Sequence, residues 1–124
     1  MATSDSEYPQ IRFASQKTIW FASVRPNGKP HLVPVWFIWH DESVYVCTEP
    51  TSVKARNISS NNLVTLAIED TTKPVICEGE ARIVQSPWPN EVQHLFERKY
   101  NWDIRIEEQY TRLIEVTPLK WLAW

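Results

Sequence analysis

The sequence predicts a mainly β domain, a small antiparallel barrel of about six strands with one short and one longer helix. Three observations predict it. β-Branched and aromatic residues concentrate in short runs, among them Thr18–Val24, Val44–Thr48, Leu63–Asp70, Val75–Val84 and Arg112–Leu119. Turn residues separate the runs, above all Asn27-Gly28, the strongest short hairpin signal. Convincing helical spacing is confined to the stretches after Thr51 and after Asn90. So many short strands with so few helices favour a barrel over a layered α/β fold.

Residues 1–124 are expected to form a single domain, since a chain of this length builds one core. Hydrophobic residues make up 43% and charged residues 23%, which suits a soluble globular protein. A net charge of −2 supplies no basic footprint for nucleic acid or an anionic membrane. No run approaches the roughly 18 apolar residues of a membrane span. Met1–Gln10 lacks the basic start and apolar run of a signal peptide, so the cytoplasm is the expected location. Cys47 and Cys77 sit in apolar strand runs and read as buried thiols, not as a disulfide or a metal site. No metal is expected.

Met1–Ser6 is expected to be disordered, and Glu7–Ser15 to hold a short helix. Thr18–Val24 should pair antiparallel with Pro30–His40 across the Arg25–Lys29 turn. Pro34 cannot donate to a ladder, so its nitrogen must face an edge, a bulge or a cavity. Asp41-Glu42-Ser43 then turns the chain into Val44–Thr48. A short helix runs from about Ser52 to Asn61-Asn62. In Val75–Val84, Val75, Cys77, Ala81 and Ile83 point inward and Gly79 marks a bulge. Asn90 and Gln93 suggest a capping box for a helix with Val92, Leu95, Phe96 and Lys99 on one stripe. Asn101–Gln109 is polar and irregular. Pro118 suggests an edge position for the last strand, and Lys120–Trp124 an apolar tail.

The chain has seven tryptophans. Each ring buries on the order of 150–250 Å². A core of this size hardly wraps them all, so some are expected to face a ligand or a second subunit.

The chemically unusual stretch is Pro50–Asn57. Thr51 or Ser52 is a natural N-cap. A helix N-terminus carries partial positive charge and favours Asp or Glu just after the cap. Here Lys54 and Arg56 stand there instead, and no acid occurs between Pro50 and Ile68. Cap hydroxyls, free backbone N–H groups and a pair of cations suit a phosphate-like anion. A solvated basic turn is the alternative. The neighbouring strand, with Val33, Pro34, Val35 and Trp36, is a plausible wall for a flat ligand, and His31 opens it. His40 and His94 read as exposed. The sequence shows no nucleophile–base pair, Walker motif, GxGxxG or HExxH. A flat, phosphorylated cofactor that carries the reaction is therefore expected, and FMN fits both ends.

At these residues the sequence resembles the FMN-binding split-barrel family of pyridoxamine 5′-phosphate oxidase-like proteins. The similarity spans about Gln16 to Leu119. It is carried by Gly28–Phe37, by Thr51-Ser52-Val53-Lys54-Ala55-Arg56-Asn57 and by Glu78-Gly79-Glu80-Ala81. The resemblance implies a six-stranded split barrel of Greek-key type, a homodimer, and flavins across the dimer interface acting on a small-molecule substrate. It implies phosphate contacts from Ser52, Lys54 and Arg56 and ring contacts from Val33–Trp36. Thr48, Thr51, Ala55 and Asn57 complete the implied cofactor-binding set, with Trp88 reaching in from the partner chain beside Trp121 and Trp124. The chain ends Lys120-Trp121-Leu122-Ala123-Trp124, without the Arg-Leu-x-Pro substrate motif of the true vitamin oxidases. Pro34-Val35-Trp36-Phe37 is similar to the deazaflavin-dependent reductase branch, so a deazaflavin coenzyme stands as the alternative cofactor. A non-catalytic flavin-binding or stress-associated protein is the alternative role.

Overall fold

The Pro26-Asn27-Gly28 turn starts the sheet in the computed structural model, which describes residues 8–124. Gly28 adopts a φ of 88°, and its N–H donates to Arg25 O at 2.8 Å. A side chain at that φ would be strained. β1 (Ile19–Val24) thus pairs antiparallel with β2 (Pro30–Val35), with Phe21 opposite Val33. The expected disorder of residues 1–6 lies outside the described residues. Within the expected Glu7–Ser15 helix, α1 covers Pro9–Ala14.

The expected single strand Pro30–His40 is broken. Trp36 and Phe37 leave the ladder, and β3 (Ile38–His40) pairs with β4 (Ser43–Thr48). Tyr100 supplies the missing partner: Phe37 N–H donates to its hydroxyl at 2.9 Å. The turn between β3 and β4 is Asp41-Glu42 alone, with φ of 50° and 65°, and Ser43 already pairs with His40. The described residues therefore form seven strands, not six.

α2 (Val53–Ser60) leads to β5 (Leu63–Ala67) and β6 (Val75–Ile83); α3 (Asn90–Tyr100) leads to β7 (Arg112–Ala123). The strand order is β2-β1-β5-β6-β7-β4-β3, antiparallel throughout. The outermost strands, β2 and β3, are joined by Trp36-Phe37 alone. The sheet must curl to bring its ends that close, and the result is a half-barrel. β2 is an edge, which removes the problem of Pro34. β7 is not an edge. It lies between β6 and β4, and Pro118 stands opposite Gly79, where the register slips. The expected Lys120–Trp124 tail is strand as far as Ala123.

Phe13, Phe21, Phe37, Leu66, Val75 and Ile114 are fully buried inside the curl. A second cluster, with Ile38, Val92, Phe96 and Leu113, forms where α3 covers the sheet. The expected capping box is absent: Pro89 is the cap residue, and Gln93 turns back to donate to Trp88 O at 3.2 Å. No tryptophan is fully buried. Trp39 and Trp121 meet Phe13 edge to face, whereas Trp20, Trp36 and Trp124 are exposed. Among the described residues no helix is long and apolar enough to cross a membrane.

Candidate functional site

Ser52 caps α2, its Oγ accepting from Ala55 N at 3.2 Å. The first turn of α2 contains no acid. Lys54 is half-buried and Arg56 exposed, and neither forms an ion pair within contact distance among the described residues. Burial pushes the Lys54 ammonium pKa down, and the charge of Glu49 opposes the shift only in part. A half-buried ammonium in a first helical turn that holds no acid is a place suited to an anion.

Lys54 opens onto a cavity of about 530 Å³, within the range of small-ligand sites. β2 and its exit contribute Pro34, Val35 and Trp36. The end of β4 contributes Cys47 and Thr48. The segment before β7 contributes Trp102, Glu107 and Tyr110. Thus Pro34, Val35, Trp36, Thr48 and Lys54 of the sequence-derived set share one cavity.

The other members lie around it in different ways. Val33 packs against the main core. Thr51 is exposed just before the cap. Ala55 is buried under α2, and Asn57 points inward, its Nδ2 donating to Ser23 Oγ at 2.9 Å. That bond ties α2 to β1 and occupies a polar group otherwise free for a ligand. Trp88 packs on the second core cluster of its own chain. His31, His40 and His94 do not line the cavity. His31 lies close enough to Arg25 and Lys54 for burial and both charges to lower its pKa.

Cys47, Trp102, Glu107 and Tyr110 were not legible as site residues. Cys47 reads as core from its strand, and it is 8% exposed with its thiol pKa pushed up to about 12 by burial and the charge of Glu107. The other three sit in the polar Asn101–Gln109 stretch and just after it. The aromatic pair Trp102 and Tyr110 was the available signal. A 3₁₀ turn at Ile104–Ile106, capped by Asp103, folds that stretch back over the cavity.

A curled sheet with a ligand-sized cavity beside a cationic helix start makes a half-barrel with one candidate binding site. The chain matches the family described as Pyridoxamine 5′-phosphate oxidase over residues 6–124, and it belongs to that family. Among curated proteins no sequence matches significantly. Solved structures share the fold. The haem storage protein HutZ from Vibrio cholerae superposes with a TM-score of 0.78 at 20% identity, over 94% of this chain and 93% of its own. An F420 reductase gives 0.69 at 21% identity, over 98% of both chains. General Stress Protein 26 from Bacillus anthracis gives 0.66 at 21% identity, over 98% of this chain and all of its own.

Proposed function

We propose that this chain is a flavin-dependent oxidoreductase that holds FMN in the cavity beside α2 and acts on a small molecule. The observation that carries the reading is Lys54: a half-buried ammonium at a helix start, without an ion pair among the described residues, lining a cavity walled by Pro34, Val35 and Trp36. Family membership supports it. Ser52, Lys54 and Arg56 would hold the phosphate, and β2 would lie along the isoalloxazine ring. Flavin, when bound, supplies the redox chemistry. The chain's own residues orient the ring and exclude water.

A deazaflavin coenzyme is the second reading, favoured by Pro34-Val35-Trp36-Phe37 and by the likeness to an F420 reductase. A flavin-binding protein without catalysis, located like the enzyme in the cytoplasm, is the remaining variant.

The working unit on this reading is a homodimer. Trp20, Leu32, Leu63 and Leu119 are 39–60% exposed. Ala22 pairs with Leu32 and with Thr65, so Trp20, Leu32 and Leu63 share the outer face of β2, β1 and β5, and Leu119 of β7 lines the same depression as Ala22 and Leu63. An apolar strip of that kind suits a second copy of the same sheet. Sedimentation of the purified protein tests the dimer. The visible spectrum as isolated, and the mass released on denaturation, test the cofactor. Titration with FMN against the deazaflavin separates the two. Failure of both to bind would end the proposal.

A further inference from the structure

We propose that the cavity also takes an organic cation, a quaternary or protonated amine seated against Trp36, Trp102 and Tyr110 with Glu107 as its counter-charge. The inference rests on the reading of this cavity as the working site, and not on which flavin occupies it.

The aromatic faces form a corner. Trp36 and Trp102 have ring centroids 5.8 Å apart and planes at 81°. Trp102 and Tyr110 repeat the arrangement at 5.8 Å and 87°. Ring faces carry negative potential, and mutually perpendicular faces lining one cavity attract a cation from several sides. Trp36 is 47% exposed and Tyr110 37%; Tyr100 stacks on one face of Trp36 and leaves the other to the cavity side.

Glu107 supplies the charge. Its Oε2 accepts from Trp102 Nε1 at 3.3 Å. Oε1 has no hydrogen-bond donor among the described residues. Gln109 Nε2 donates to Glu49 Oε1 at 2.8 Å, which ties this segment to the approach of α2. The carboxylate is thus held beside the ring corner before any ligand arrives. Its field reaches into the cavity, since it adds to the rise in the Cys47 thiol pKa. Lys54 lines the same cavity and opposes a cation. An anion at the start of α2 would cancel that opposition. The structure therefore favours a cation that binds beside an anionic cofactor tail.

The probe is choline, titrated calorimetrically with and without FMN against its neutral isostere, in which carbon replaces nitrogen. The isostere keeps the shape and removes the charge. Choline is expected to bind about tenfold more tightly. Glu107→Gln should erase most of that preference, and the unaltered protein decides the matter if the variant does not fold. Equal binding of choline and isostere in both conditions overturns the cation site. FMN titration of the unaltered protein is read separately. Choline preference without flavin binding removes the flavin reading and leaves the cation site; flavin binding without choline preference does the reverse.

Discussion

Trp36 lies face to face with Tyr100, ring centroids 4.4 Å apart and planes 3° from parallel. The stack sits at the seam of the half-barrel. Trp36 and Phe37 are the residues that leave the ladder between β2 and β3, and Tyr100 ends α3. The Tyr100 hydroxyl accepts from Phe37 N at 2.9 Å and faces Phe37 O at 2.9 Å and Lys17 O at 2.6 Å. One side chain thus replaces a strand for Phe37 and holds a cavity residue, Trp36, by its ring face.

Tyr100→Phe should therefore destabilise the fold although the stack survives. Phe37 N–H would lose its acceptor in a partly buried place, a change that costs about 1–3 kcal/mol. Urea unfolding of the variant reads the loss. A midpoint equal to that of the unaltered protein would show that water replaces the hydroxyl.

Lys54→Ala should weaken FMN binding roughly ten- to hundredfold, the range for a hydrogen bond to a charged group. Arg56→Ala should cost less, because Arg56 is exposed and solvent screens it. Ser52→Ala should cost about 1 kcal/mol of stability through the lost cap. Fluorescence titration of the flavin ranks the first two variants. The opposite ranking would move the phosphate from the cavity side of α2 to its outer side.

The cationic end of the candidate site was legible because it depends on local chemistry. A cap hydroxyl, a first turn without acid, and its cations are all readable within Pro50–Asn57. Strand positions were legible for the same reason: alternation in Val75–Ile83 fixes which residues face inward. What failed depends on distant partners. The break at Trp36-Phe37 is made by Tyr100, 63 residues away from Phe37. Pro118 suggests an edge, but it is tolerated inside the sheet because the slip at Gly79 stands opposite it. Asn57 belongs to the motif by position, yet Ser23 on another element claims its amide. The aromatic side of the cavity was hidden in a polar stretch that acquires a site only when the 3₁₀ turn folds it back.

Gly79→Ala tests that slip. A Cβ there would stand 2.7 Å from both Thr117 O and Val116 Cγ1. Backbone cannot yield cheaply in the middle of a paired sheet. Overpacking of this kind costs about 1–3 kcal/mol. A thermal melt should show the loss directly, and an unchanged melting temperature would mean that β7 can slide away from β6.

Lys99 makes stability depend on pH in a direction opposite to the buried thiols and phenols. Its Nζ lies 3.7 Å from the Phe37 ring centroid and is buried without a hydrogen-bond partner among the described residues. Burial, helped by the charge of Lys17, pushes its pKa down to about 8 from 10.5. Below the lower value both folded and unfolded chains carry the proton, and the full penalty of a buried ammonium applies. Between about 8 and 10.5 only the unfolded chain keeps the proton, so the penalty shrinks as pH rises. Cys47, Cys77, Tyr45 and Tyr100 have pKa values raised to about 12 and act the other way, losing stability with rising pH. Their effect cancels in a comparison with Lys99→Met. The variant should be the more stable form at neutral pH, less so than burial alone implies because the ring contact already favours the cation. Its advantage should decline steadily through the alkaline window. Denaturant midpoints of both proteins across that window measure the decline, and a constant difference would place the Lys99 ammonium in water.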